Sequence, residues 1–321
     1  MSRPQPTPLA DTPQSTHLER VLKLRALAGF ASMTVDEVGV VAENTVDRFF
    51  PAGSELSAEG EPVTAMHYVL EGVVQVRRKG ETIQEFTAPA VVGGLGSLAG
   101  IADGQQLLAT EDCWTLEMSA SVMADVFEDN FKLLLMVIRG MAEEFISARL
   151  DAGPTAGFDQ SIDEVEPPAG ELSLVERLFY LRQSMTFGRG GVEMLLGLAR
   201  DARERRVAAG TRLWKSGDPT GTWLVIVSGV VACENQAQLF RFGPGDSVGG
   251  LDALGGVPRW FDARAESDLV ALEIDAEVVV DLFEDNVDLA LGTCRRIAGF
   301  LLALREDNAR ARSAERRSHA K

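Results

Sequence analysis

The chain has 321 residues, 45% hydrophobic and 25% charged, an ordinary balance for a soluble globular protein and enough for two domains of about 150 residues. A formal net charge of −17 disfavours non-specific binding to DNA or to an anionic membrane surface. No apolar run nears the roughly 20 residues needed to cross a bilayer, and the isolated Cys113, Cys233 and Cys294 suit buried thiols in a reducing cytoplasm, not a disulfide framework.

Residues 1–17 are Pro- and Thr-rich without an apolar h-region, so they read as a disordered arm and not a secretory signal. LERVLKLRAL (18–27) carries apolar residues at helical spacing, a leading helix. Short strand-like runs follow, among them MHYVLEGVVQVRR (66–78), with Gly72 at a tight turn. A Gly-Gly loop comes next at 93–94, then a strand, CWTLEMS (113–119), a short helix ending in Glu-Asp-Asn, and a longer closing helix. On that helix Leu134, Ile138, Met141 and Phe145 share one face.

After residue 150 the same order returns. VFEDNFKLLLMVIRGMAEEF (126–145) matches LFEDNVDLALGTCRRIAGFL (282–301), and FFPAGSEL (49–56) matches RVAAGTRL (206–213). YVLEGVVQV (68–76) matches LVIVSGVVAC (224–233), with Gly229 at the turn, and residues 91–112 match 247–268. The offsets are 156 or 157 residues, so the chain is a tandem repeat. The expected division is a first domain over 18–150, an acidic Pro/Gly linker over 151–171, a second domain over 172–307 and a mildly basic tail over 308–321. In the second copy Leu291, Cys294, Ile297 and Leu301 line the closing helix, and RERR (203–206) reads as the solvated end of a helix. Many short strands with Gly turns, bracketed by helices, predict a mainly β fold of the jelly-roll type with flanking helices, made twice.

AGSELSAEGEP…HYVLEGVVQV and AGTRLWKSGDP…WLVIVSGVVAC resemble the opening turn and strand pair of the cyclic nucleotide-binding domain family, over about 270 residues in two copies. The resemblance implies two tandem β rolls and a phosphate-binding cassette in each. In the family the cassette reads Gly-Glu-x-(Ala)-Leu, a variable turn, then Pro-Arg followed by small or hydroxyl residues. Its Gly-rich turn and Arg hold the cyclic phosphate, and its Glu accepts from the ribose 2′-hydroxyl.

Laid onto the second copy, the cassette gives Gly249, Gly250, Leu251, Asp252, Arg259 and Trp260 as candidate ligand-binding residues. Gly250 stands where the Glu belongs, and Trp260 and Phe261 stand where small residues belong. The phosphate half survives in part and the ribose acceptor is lost. Two expectations compete. Either a cyclic nucleotide or another phosphate-bearing ligand binds through Arg259, or Arg259 makes a surface or inter-domain ion pair and Trp260 fills the emptied pocket. The first copy keeps Gly93 and Gly94 but places Asp103 opposite Arg259, and a carboxylate there repels an anion.

Metal chemistry lacks ligands, because His17 and His319 lie near the termini and His67 stands alone at a strand start. With one core histidine no His-based catalytic triad forms, and no P-loop, GxGxxG or CxxC occurs. Residues 305–321 are too few for the helix-turn-helix that follows this domain in activators of catabolite-activator type. Residues 1–17 hold no Arg-Arg-x-Ser/Ala segment of the kind expected in regulatory subunits of the cAMP-dependent protein kinase. The expected function is thus a non-enzymatic, cytoplasmic regulator or adaptor that uses degenerate domains for protein–protein contact, without cofactor, metal, membrane or nucleic acid. Its partner is a protein, and the closing helices either pack the two rolls together or form a homodimer, the latter being what the resemblance implies. The alternative is a signalling sensor with a ligand in the second domain.

Overall fold

The computed structural model describes residues 15–31, 33–102, 104–150, 162, 165–235 and 238–319. Asp103, most of the expected arm and most of the expected linker lie outside them. The first copy opens with α1 (His17–Arg25) and α2 (Val35–Glu43), each started by a capping box, Thr16 with Glu19 and Thr34 with Glu37. Eight strands follow: β1 (Val46–Phe50), β2 (Glu55–Ser57), β3 (Ala65–Glu71), β4 (Val73–Arg78), β5 (Glu81–Thr87), β6 (Ala90–Val92), and, after α3 (Gly94–Ala99), β7 (Gln106–Ala109) and β8 (Cys113–Ser119). Two antiparallel sheets, ordered β1-β8-β3-β6 and β2-β7-β4-β5, enclose a core that includes Phe50, Val69, Val74, Val76, Leu107 and Cys113. Helices α4 (Ala120–Asp129) and α5 (Phe131–Leu150) complete the copy.

The second copy repeats this plan. Helix α6 (Leu174–Gln183) starts with the capping box Ser173–Glu176, and α7 (Val192–Asp201) follows. Its strands are β9 (Arg203–Val207), β10 (Arg212–Trp214), β11 (Thr222–Ser228), β12 (Val231–Asn235), β13 (Gln238–Phe242) and β14 (Ser247–Val248); after α8 (Gly250–Gly255) come β15 (Asp262–Ala265) and β16 (Leu269–Asp275). The sheets are ordered β14-β11-β16-β9 and β10-β15-β12-β13. Helices α9 (Ala276–Asp285) and α10 (Val287–His319) close the copy, so most of the expected tail is helical.

Local chemistry explains the repeated punctuation. Asn130 and Asn286 take the same non-helical conformation (φ −136°, ψ 74°), and each side chain donates back to a carbonyl four residues earlier, Val126 and Leu282. That ends one helix and starts the next at each Glu-Asp-Asn. At the strand turns, a Cβ on Gly72 (φ +92°) would run into the Asp112 carbonyl oxygen, and one on Gly229 (φ +86°) into that of Asp268.

The segment RERR is a strand, not a helix end. In β9 Arg203 and Arg205 point to one face, where they pair with Asp275 (2.6 Å) and Glu273 (3.1 Å) on the neighbouring β16. Charge density hides strand alternation when both faces are polar.

In space the described residues form two compact units that cut across the repeat. One runs up to Leu134 and resumes at Cys294; the other is Leu135–Thr293. The later part of α5 therefore belongs with the second roll, where Ile146 joins the core and Arg149 O accepts from Gln238 Nε2 at 3.3 Å. The later part of α10 belongs with the first roll, where Glu306 accepts from Gln105 Nε2 at 2.9 Å and pairs with Arg78 at 3.8 Å. Each roll thus receives the later part of the opposite copy's closing helix.

Candidate functional site

The second roll's cassette begins where β14 meets α8. Gly249 is the N-cap of α8 with φ +78°, a conformation that favours glycine, and a Cβ there would overlap Arg259 Nη1. Gly250, the first residue of α8, has no such φ. Its glycine answers to packing, because a Cβ would lie 2.6 Å from Trp223 Cζ2 and 2.8 Å from Trp223 Nε1. The indole of Trp223 occupies the space that an acidic side chain at 250 would need.

Arg259 is buried, only 4% exposed. Its Nη1 donates to Gly249 O (3.0 Å) and Asp252 Oδ1 (3.2 Å), and its Nη2 to Thr222 O (2.8 Å) and Thr222 Oγ1 (3.1 Å). The guanidinium carbon lies 4.2 Å from the centre of the Trp214 ring. The expected surface or inter-domain ion pair is instead a buried pair within the cassette itself, drawn inward because four protein acceptors and an aromatic face replace water.

Asp252, on α8, is fully buried. Its Oδ1 also accepts from Ala253 N (3.2 Å), while Oδ2 has no hydrogen-bond partner among the described residues. Burial pushes its carboxyl above the usual range, with Arg259 pulling back. Leu251 is half-buried on the same helix.

The roll interior is filled with rings. Trp260 stacks on Phe240 (5.5 Å between centroids, 16° between planes) and meets Phe261 edge-on at 4.9 Å, and Phe261 lies 5.8 Å from Trp214. All belong to one core cluster with Leu224, Cys233 and Ala263. Trp214, Thr222, Trp223 and Phe240 escaped the sequence reading. A signal was present: Trp214, Trp223 and Trp260, three of the four tryptophans, fall in the second copy.

The first roll keeps the glycine turn and differs around it. Gly93 repeats the φ of +78°, but Met66 takes the place of Trp223, with its Sδ 3.1 Å from a Cβ built on Gly94. Gly104 and Gln105 stand at the positions of Trp260 and Phe261. Here a cavity of about 170 Å³ opens, lined among others by Val63, Arg78, Gln105, Leu302 and Glu306. His67 is buried, with its ring edge-on to Phe50 and Nδ1 3.4 Å from Thr115 Oγ1. No group of three or more His, Cys, Asp or Glu side chains that could hold a metal ion occurs among the described residues.

The family model for the cyclic nucleotide-binding domain matches twice, over residues 47–130 and 204–286, together more than half of the chain. The chain belongs to the cyclic nucleotide-binding domain family. Each match spans one β roll, from its first strand to the Glu-Asp-Asn stop, so the two cyclic nucleotide-binding domains stand in tandem. No curated protein matches the sequence. Similar solved structures include the regulatory subunit of a cAMP-independent protein kinase A from Trypanosoma brucei, at 14% identity, covering 85% of this chain and 89% of that one (TM-score 0.33). Another is the corresponding subunit from Trypanosoma cruzi bound to guanosine, at 14% identity, covering 88% and 90% (TM-score 0.33). The regulatory domain of Toxoplasma gondii protein kinase A with cAMP matches at 13% identity, covering 85% and 96% (TM-score 0.33). No helix among the described residues is long and apolar enough to cross a membrane.

Proposed function

We propose that this protein is a non-enzymatic, cytoplasmic regulatory or adaptor protein, in which two cyclic nucleotide-binding domains serve protein–protein contact in place of nucleotide sensing. The observation behind this reading is the state of Arg259. Its guanidinium donates four hydrogen bonds to protein acceptors, beneath an interior filled by Trp260, Phe261 and Phe240. An anion entering from outside would have to displace Asp252 and the Thr222 contacts, and the base and sugar would have to displace packed rings. In the first domain Asp103 stands opposite Arg259 in the repeat, and a carboxylate repels a phosphate.

In this reading the partner is a protein, and the closing helices α5 and α10 are the proposed seat of self-association. Calorimetric titration of the purified chain with cAMP, cGMP and cyclic dinucleotides tests it, beside an Arg259→Ala variant. The expected result is no saturable heat from any of them. Saturable binding that Arg259→Ala abolishes would overturn the adaptor reading in favour of a ligand sensor in the second domain. A chain that is monomeric by light scattering and forms no stoichiometric protein complex would also count against it.

A further inference from the structure

Two charged residues of the second cassette are lost together in the first. The positions equivalent to Asp252 and Arg259 are Gly96 and Asp103, so neither member of the pair has a like residue there. The pairing is what burial demands, since a guanidinium or a carboxylate left alone in a dry site is strongly destabilising. Yet the pair is incomplete as a stability device, because Asp252 Oδ2 is buried without a partner among the described residues. Well-packed apolar residues hold such a place at least as well.

The geometry gives the pair another task. The hydrogen-bond acceptors around Arg259 are the Gly249 and Thr222 carbonyls, the Thr222 hydroxyl and the Asp252 carboxylate, and only the last is ionisable. Through these contacts Arg259 joins α8 to β11, and its face on Trp214 adds β10. A small oxyanion in place of the Asp252 carboxylate would accept from the same Nη1.

We propose that Asp252 is a built-in anion: its carboxylate occupies, from within the chain, the seat that Arg259 offers to a small oxyanion, and so keeps the cassette closed without a ligand. The proposal rests on the second domain being free of nucleotide, and it adds the residue that enforces this. The ligand class of the vacated seat is a small carboxylate or inorganic phosphate, matched to one guanidinium and the backbone of a glycine turn.

Chemical rescue tests it on the full chain. Asp252→Gly, which installs the residue of the first copy, leaves Arg259 buried without its counter-ion and should lower the melting temperature. Formate, or inorganic phosphate, should then raise that melting temperature in a saturable way. The apparent affinity for the anion should be about tenfold or more above that of the parent chain, the ratio expected from one charge-assisted hydrogen bond. Asp252→Gly combined with Arg259→Ala should lose the saturable response and keep only the general salt effect that the parent shows. Asp252→Ala, which also vacates the seat and suits a helix, is the companion if the glycine variant does not fold, and it should respond to the same anions. A folded Asp252→Gly or Asp252→Ala protein that responds to formate and phosphate no more than the parent would overturn the proposal. Nucleotide binding by the parent chain would instead overturn the adaptor reading, so the two failures are distinct.

Discussion

Replacing Gly250 by Ala tests why the second cassette lacks an acidic side chain at its second position. The new Cβ would sit 2.6 Å from Trp223 Cζ2 and 2.8 Å from Nε1, well inside van der Waals contact. Both groups are rigid, one on a helix start and the other a buried ring only 3% exposed. Overpacking of this kind costs about 1–3 kcal/mol, more than the few tenths to 1 kcal/mol that Ala gains over Gly in a helix. For a unit of this size each kcal/mol moves the melting temperature by about 2–4 °C. Gly250→Ala should therefore melt roughly 2–10 °C below the parent in far-ultraviolet circular dichroism. The decisive comparison is the same change made in a Trp223→Met background, where the first copy's Met66 shows that a flexible side chain fits. There the penalty should shrink to near zero, giving a coupling energy of about 1–3 kcal/mol. Equal losses in both backgrounds, or no loss in the parent, would refute the assignment of Gly250 to Trp223.

Two further predictions concern buried titratable groups. His67 is 2% exposed, and burial, aided by the Arg48 charge, lowers its pKa to about 4, despite Glu117 at 4.0 Å. Its folded pKa lies below the unfolded value of about 6.5, so the neutral ring's contribution is whole above pH 6.5 and is lost as pH falls towards 4. Urea denaturation should show about 3 kcal/mol of stability lost across that window beyond the loss seen in His67→Gln; parallel pH profiles would refute it. Cys113, Cys233 and Cys294 are fully buried, and burial raises all three thiols, Cys294 to about 12. A thiol reagent at pH 8 should label none of them quickly until denaturant is added, and one equivalent of fast labelling in the native protein would contradict this burial.

The β rolls, their order and their punctuation were legible in the primary structure because each is written locally and written twice. The opening turns need Gly53 and Gly210 at positive φ, the strand turns need Gly72 and Gly229, and the Asn130 and Asn286 side chains stop their helices through contacts four residues away. Periodicity and repetition together expose such features without any knowledge of distant neighbours. The helix expected at 203–206 failed because the partners that make it a strand, Glu273 and Asp275, lie about 70 residues on.

The cassette was legible only as a set of candidates. Gly249, Asp252, Arg259 and Trp260 could be named by laying the family's cassette onto the sequence, but such a pattern does not say which way a guanidinium turns. That choice depends on Thr222 and Trp214, brought in by β11 and β10, and on aromatic rings that exclude water. Gly250 carries the clearest contrast: from sequence it is a missing carboxylate, and in the fold it is the space taken by Trp223. The destinations of α5 and α10 are likewise a tertiary outcome. Their apolar stripes dictate that each helix be buried, and only the folded chain decides that the later part of each lies with the roll of the opposite copy.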